Sequence, residues 1–553
     1  MGTRFRSKVK AFMPEAEDDP TGSRHMPQRT PSEGQIWGRV LIAGGTNWAT
    51  NGRKDRAPAT TSDLHTPHIL RSLCNVKITK IITGPAANFA VVIDTYGLAR
   101  MFGKMPSESL SNSSTGVISE YDPYKFFHPN NAHRWVDGAA GRTHVLLVDD
   151  QGEAWGCGNN AVGQLGLFSF ATPSSPCQEV GIFTKIPGPW SKEPERRIVQ
   201  VTAGHTFSLF LTDSGQVYAA GSSEYGQLGN GKTGERIVTA GKVGFDVEVP
   251  ARLVLGLTGK NIIQIASGHQ HSLAMDAEGY VYAWGNAGYA RLGLQDQKNR
   301  LVPTIIPSFA GNSVLTRASS ILCGPTNSVV IDRQKIYHMA GKWKLSGDGS
   351  TGQPYTYFKS IQDIINCQVL QASCGGCTHF ITTPDSDGKV MTIGFGQGVL
   401  YGELGLGNDA DKSAAKPQQI MPLADIDVID VSAGAFFTLF LARPNDSLSN
   451  IPRHPVHVAS ASLCLICNMD NGVAPLECEK CDEPYHTGCL DPPLEGIPDG
   501  EWFCPKCEKE SEATPDENSR NNGPERGQNT SLKSGKRKSS GVGGTKAVTK
   551  KRR

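Results

Sequence analysis

Residues 265–293 read IASGHQHSLAMDAEGYVYAWGNAGYARLG. Apolar-rich runs at 265–266 and 272–275 and again at 280–284 flank the turn Asp276-Ala277-Glu278-Gly279, and a Gly-containing turn follows. This patterning predicts a β-hairpin followed by a loop, and the unit recurs along most of the chain. Aligned on His271, equivalent positions fall at Asn88, His144, Phe207, Asn327, His379 and Phe437, which makes seven first halves. Second halves begin near Val40, Leu98, Glu153, Val217, Val281, Ile336 and Val390, several running into a turn such as GQLG at 163–166 and 226–229. A repeat of this length signals a solenoid or a propeller.

The order of the halves decides between them. The chain opens with an orphan second half at Val40 and closes the array with an orphan first half at 428–441, so pairing the two completes a blade and closes a ring. Closure leaves few exposed strand edges. The expected architecture is all-β: a seven-bladed β-propeller over 36–443, a linker over 444–461, a small cysteine-rich domain over 462–510, and disordered segments at 1–35 and 511–553.

The repeated Gly-x-x-His-Ser, Gly-x-Val-Tyr-x-Trp-Gly and Gly-x-Leu-Gly elements resemble the regulator-of-chromosome-condensation repeat, a family of seven-bladed propellers. Thr46-Asn47-Trp48, Gly52-Arg53-Lys54 and Tyr401-Gly402-Glu403-Leu404-Gly405 are similar to the family's second, mitotic member more than to the exchange factor for the nuclear-transport GTPase. The copies are unequal: Asn88 and Asn327 replace the His, Ala290 stands where the turn has Gly, and the insertion at 104–132 exceeds a simple turn. Loops on a rigid ring are where partners bind, or tolerated surface insertions.

Composition narrows the class. With 62 Gly, 34 Pro and 38% hydrophobic residues among 553, the chain is turn-rich, and it has no run of 18 apolar residues to span a bilayer. The N-terminus lacks an apolar signal core and carries Arg6 where a myristoylation signal has Ser or Thr, so an intracellular protein is expected. The net charge of +2 conceals an asymmetry, because nine Lys/Arg and no acid lie in 531–553. A basic tail on a mildly acidic body points to targeting or non-specific DNA contact through the tail alone.

Several local patterns carry no chemistry. Gly156-Cys157-Gly158 has the letters of a dinucleotide fingerprint without the helix it needs. Cys374 and Cys377 have CxxC spacing in a strand pair, where no helix start lowers a thiol pKa. His144, His271 and His379 are spread around the ring and are expected to be structural. No G-x-S-x-G elbow, Walker loop or H-E-x-x-H occurs, so hydrolase and kinase readings have no foothold and no catalytic residue is assigned.

The chemistry lies downstream. Half of the 14 Cys crowd into Cys464-x2-Cys467-x10-Cys478-x2-Cys481-x4-His486-x2-Cys489-x14-Cys504-x2-Cys507. Eight ligands make two four-coordinate Zn²⁺ sites, and so short a segment cannot fold on apolar burial alone. With Tyr485 before His486, Leu490-Asp491-Pro492-Pro493-Leu494 and Trp502, it resembles a PHD finger. That resemblance implies interleaved ligation, with Cys464, Cys467, His486 and Cys489 on one zinc and Cys478, Cys481, Cys504 and Cys507 on the other. A RING finger uses the same cross-brace, but with His fourth and Cys fifth, whereas Cys481 is fourth and His486 fifth here.

PHD fingers commonly add the histone H3 tail as a strand beside the run before the third Cys, here 474–477. The resemblance implies peptide contacts at Leu476 and Glu477, at the turn with Pro498 and Gly500, and through Asp470 and Asp482 to Arg or Lys. Pro475 lacks an N–H in that run. Between Cys464 and Cys481 there is no Phe, Tyr or Trp, so the aromatic cage for trimethyl-lysine is missing and an unmodified tail is expected.

In the tail, Lys536-Arg537-Lys538 and Lys550-Lys551-Arg552-Arg553 resemble a bipartite nuclear localisation signal read by importin. Two functions follow as expectations: a nuclear adaptor whose finger engages a histone tail or another chromatin protein while the propeller holds a partner, or a small-GTPase regulator acting through the propeller.

Overall fold

The structure is a computed structural model that describes residues 34–512, apart from 54–62, 75, 111–114, 122–123, 127–132, 169–175, 193–195, 240, 343–352, 397–398, 410–413, 457–462, 473–474, 479–482 and 499–501. Seven sheets of at least four strands form the blades of a closed propeller; six run in chain order along the sheet, and the seventh joins the last two propeller strands to the first two. The blade of the prototype repeat is Ile262–Ser267, His271–Asp276, Val281–Gly285 and Arg300–Ile305.

The second strands are buried along their whole length, as in His271–Asp276, except for Pro384 at the end of Thr378–Pro384, because neighbouring blades cover both of their faces. Outer strands such as Arg300–Ile305 are only partly covered, with half-buried and exposed positions mixed along them. That fourth strand was not read from the sequence.

Closure occurs as the orphan halves require. Arg39–Gly45 lies antiparallel to Phe437–Ala442, pairing Val40 with Leu441 and Ile42 with Leu439, and Asp63–Leu70 adds the outer strand. Phe437 is buried edge-on against Trp48 at 4.9 Å.

The repeated residues are inter-blade staples. His144 Nε2 lies 3.0 Å from Ser208 Oγ in the next blade, and Ser208 Oγ donates back to Gln164 O at 2.6 Å. His271 repeats this with Ser328 at 3.1 Å, and Ser328 donates to Arg291 O at 2.6 Å. The glycine three residues before the His is steric: a Cβ on Gly141 or Gly268 would overlap the imidazole packed on it. His379 instead bonds Tyr337 Oη at 2.9 Å through Nδ1.

Burial holds the His144 and His379 imidazoles down at about 3, and burial, then the Arg291 charge, hold His271 well below its ordinary value. These groups fold neutral, whereas the unfolded chain protonates them below about pH 6.5. Their stability contribution is therefore complete above pH 6.5 and is lost as pH falls from there toward 3, by up to about 1.4 kcal/mol per pH unit for each imidazole. Denaturant titrations at pH 7 and pH 5 should show a lower midpoint at pH 5; replacing His379 by Gln should reduce the difference.

The segment expected to be a plain linker is built into the ring. Asp446–Asn450 forms a 3₁₀ turn capped by the Asn445 side chain, and Arg453–His454 runs parallel to the outer edge of the closing blade, with Ile69 N donating to Pro452 O at 2.9 Å. Glu120, from the long insertion, is buried beneath it. Its Oε2 accepts from Trp48 Nε1 at 2.5 Å and its Oε1 meets His454 Nε2 at 2.8 Å, so one carboxylate ties the first strand's turn, the insertion and the linker together. The finger's Tyr485, Leu490 and Cys504 belong to one continuous apolar cluster with Leu448, Ile451 and the closing and preceding blades.

Candidate metal centre and peptide edge

Two short chain crossings build the finger. Leu476–Glu477 pairs antiparallel with Pro484–Tyr485, a 3₁₀ turn at Thr487–Cys489 follows, and Pro505–Glu512 is helical. Tyr485 packs edge-on against Trp502 at 5.5 Å, and with Leu490 these rings supply the small apolar core.

Around this core the structure gathers one donor atom each from Cys464, Cys467, His486 and Cys489, all within 4.8 Å of one another. Cys478, Cys504 and Cys507 form a second, fully buried group on the same criterion. Cys481 lies outside the described residues. In the first group His486 presents Nδ1 to the sulfurs, 3.4 Å from Cys467 Sγ and 3.8 Å from Cys489 Sγ. Backbone amides face the sulfurs too: His486 N donates to Cys464 Sγ and Cys504 N to Cys478 Sγ, both at 3.2 Å.

The donor chemistry fits a thiophilic four-coordinate cation. Burial opposes ionisation of Cys464, but the N–H groups of His486, Cys467 and Ile466 outweigh it and hold the thiol at about 7. Cys489 is pushed up to about 11 by burial and by its sulfur neighbours Cys467 and Cys464. Sulfurs this close cannot all ionise against one another without a positive charge among them.

The peptide-edge candidates divide. Leu476 and Glu477 form the half-buried strand, Pro498 is partly exposed, and Asp470 Oδ1 accepts from Gly472 N at 2.8 Å, which closes a local turn. Asp482 and Gly500 lie outside the described residues, as do the tail residues Lys536, Arg537, Lys538, Lys550, Lys551, Arg552 and Arg553. Cys478 N donates to Glu483 O at 3.1 Å. By strand alternation the N–H of Leu476 also points inward, and the backbone of Glu477 and Pro475 points outward. The missing N–H of Pro475 therefore falls on the open edge.

The propeller's own candidates for chemistry are inert. Burial pushes both Cys374 and Cys377 up to about 12, Glu403 adding to the effect at Cys377, so neither is a reactive thiolate. The fingerprint-like stretch at 156–161 ends the strand Ala154–Asn159 in a turn, where Asn160 Nδ2 donates to Leu167 O at 2.7 Å.

A profile of the RCC1-like domain matches residues 39–440, and one of the PHD-finger matches residues 464–507. The chain belongs to the RCC1-like domain family. The Protein RCC2 homolog of Xenopus laevis is 28% identical to it over 446 residues, 76% of this chain and 81% of the relative. Human WBSCR16 superposes with a TM-score of 0.57 at 22% identity, covering 74% of this chain and 99% of its own. Prp20p of Saccharomyces cerevisiae gives 0.56 at 18%, covering 75% and 93%. At these identities the two solved structures speak to fold alone. The RCC1-like propeller thus carries a PHD finger whose Cys and His side chains cluster as a metal site would require.

Proposed function

We propose that this chain is a nuclear, chromatin-associated adaptor: its PHD finger holds two zinc ions and takes an unmodified histone H3 tail, while its RCC1-like propeller serves as a protein-interaction scaffold. The observation that carries the reading is the outward-facing backbone of Glu477 in the Leu476–Glu477 strand, set beside one Cys/His group and one Cys group in a matched PHD finger. Cys464, Cys467, His486 and Cys489 would hold one ion and Cys478, Cys481, Cys504 and Cys507 the other. Zinc would fix these loops and do no further chemistry. Trp502 is occupied by Tyr485, and no Phe, Tyr or Trp lies between Cys464 and Cys481 to enclose a quaternary ammonium, which favours the unmodified lysine. Prp20p, the fold neighbour, is described with binding properties toward Gsp1p and histones. The Lys/Arg clusters of the tail support importin-mediated nuclear entry.

That neighbour also supports the second reading, regulation of a small GTPase through the propeller, including nucleotide exchange. The two separate in one experiment. The purified chain is offered nucleotide-loaded small GTPases and, separately, unmodified and trimethylated H3-tail peptides. Accelerated nucleotide release with no peptide signal would sink the chromatin reading; binding of the unmodified peptide, lost in Cys478→Ala, supports it.

The Pro475 geometry gives a sharper expectation. Pro475→Ala restores one N–H on the open edge and should tighten peptide binding roughly two- to tenfold, one net neutral hydrogen bond. Calorimetric titration with an H3-tail peptide measures it, and unchanged affinity would place the peptide elsewhere on the finger.

A further inference from the structure

The first strands of neighbouring blades touch one another all the way round, which places them at the ring axis. Each turns into its second strand through a short loop that contains the repeated glycine, at 83–88, 141–143, 204–206, 268–270, 324–326, 375–377 and 434–436. The loops meet from blade to blade: His205 N donates to His269 O and Ala435 N to Ala87 O, both at 2.9 Å, and a Cβ on Gly141 would stand 2.7 Å from Gly204 O. None of these loops contains Asp or Glu. In three consecutive blades the residue after the glycine is basic, Arg142, His205 and His269, where the other blades have Pro85, Pro325, Gly376 and Ala435.

Arg142 is exposed and has no carboxylate partner among the described residues. Its Nη1 lies instead 3.3 Å from His205 Nε2. A guanidinium only donates, so Nε2 accepts and His205 is neutral with its proton on Nδ1. The His205 and His269 rings stand 6.0 Å apart, centroid to centroid. His269 Nε2 and Thr206 Oγ1 are both buried without a hydrogen bond among the described residues, although buried polar atoms are almost always partnered. Buried Arg291 donates only to carbonyls, to Pro325 O in the next loop at 3.3 Å and to Gly288 O at 2.8 Å, and so brings a second guanidinium without a carboxylate to the same end. Burial, then the Arg142 charge, hold His205 below its ordinary value, while burial, then His205, Arg291 and Arg142, hold His269 at about 4.

A guanidinium that donates to an imidazole lone pair has taken a weak acceptor, and an oxyanion would displace it. Such an anion frees His205 Nε2 to accept a proton from solvent and gives the unpartnered His269 Nε2 an acceptor. The spacing fits, since two hydrogen bonds of about 2.8 Å placed end to end span roughly 5.6 Å, close to the separation of the two rings. A carboxylate would be saturated by one guanidinium fork, whereas donors arriving from three loops call for a dianion with oxygens on several sides. We propose that this axial end of the propeller is a binding site for a phosphate-class oxyanion, held by the Arg142 guanidinium and by the imidazoles of His205 and His269.

The test uses the full-length chain with ¹³C-labelled histidine, so that the ring signals of His205 and His269 report on the site and anions held loosely by the basic tail do not. Sodium sulfate, whose charge is constant between pH 6.5 and pH 8, should shift both signals saturably toward the protonated form. Because binding brings proton uptake, its affinity should rise about tenfold from pH 8 to pH 6.5. Arg142→Gln, an exposed substitution that leaves the fold intact, should weaken sulfate about tenfold, the loss of one charge-assisted hydrogen bond, and Arg142→Lys should recover part of it. Inorganic phosphate and the peptide Ac-Gly-phosphoSer-Gly-NH2 separate the sources of the ligand. Tighter binding of the peptide assigns the site to a phosphorylated side chain of a partner, and tighter binding of inorganic phosphate assigns it to the free anion. Shifts matched by sodium chloride at equal ionic strength, unchanged affinity in Arg142→Gln, or equal binding of the Ac-Gly-Glu-Gly-NH2 peptide would each overturn the proposal. The finger's peptide reading is scored independently, because Cys478→Ala leaves these loops untouched and should not change the sulfate result.

Discussion

Chelation of the metal, or Cys478→Ala, is expected to unfold the finger while the ring stays folded. Cys478, Cys504 and Cys507 are buried among one another, and the core they surround is little more than Tyr485, Leu490 and Trp502. Structural zinc supplies apparent binding energies on the order of 10–16 kcal/mol near neutral pH, more than a domain of this size gains from apolar burial. A chelator such as 1,10-phenanthroline should therefore abolish the dispersed finger resonances in NMR and release two zinc ions per chain, as measured by a colorimetric zinc assay. Cys478→Ala should lose peptide binding altogether. Because Tyr485 and Leu490 share an apolar cluster with Leu448 and Ile451, the ring's thermal midpoint should fall by only a few degrees. Retention of a folded finger in excess chelator would refute the structural role of the metal.

The elements legible in the sequence are those whose residues are fixed by a repeated contact. Gly268 and His271 recur because the imidazole stacks on a bare Cα and then reaches the next blade, so the same spacing must appear wherever the contact does. The orphan halves were readable because strand pairing demands a partner for Val40–Ala43 and the chain offers it at 437–442. The fourth strands escaped because they are covered on one side only. Arg300–Ile305 and Tyr355–Ser360 carry mixed exposure and no shared signature.

The docking of the linker on the ring is hidden in the sequence for a different reason. Its residues Arg453–His454 are polar and short, and what docks them is Glu120, 334 residues away in an insertion without periodicity. Within the finger, the Cys and His spacing is visible because a metal site would fix the identity of each ligand. The direction of each backbone amide is not, so the outward position of Pro475 emerges only from the ladder with Pro484–Tyr485.

The ring's closure should prove the propeller's weakest cooperative link, and a chain beginning at residue 54 is expected not to form a monomeric, cooperatively folded propeller. Removing 1–53 deletes Arg39–Gly45, which leaves the edge of Phe437–Ala442 unpaired and strips Asp63–Leu70 of its only antiparallel partner. Fully burying Val40, Leu41 and Ile42 contributes roughly 1.5–3 kcal/mol apiece, together comparable with the roughly 5–15 kcal/mol net stability of a folded domain. Trp48 leaves with them, taking its edge contact to Phe437 and its bond to Glu120, so a buried carboxylate is left with one partner fewer. The exposed strand edge favours pairing between copies. Size-exclusion chromatography should show oligomers, and calorimetry should show no single unfolding transition. A peptide spanning 34–53 added in trans should restore the monomer and the transition, since the deleted strand contributes to the blade only by pairing and burial. A truncated chain that remains monomeric and melts as sharply as the full one would mean that the remaining six blades and the linker strand at Arg453–His454 hold the ring without the N-terminal strand.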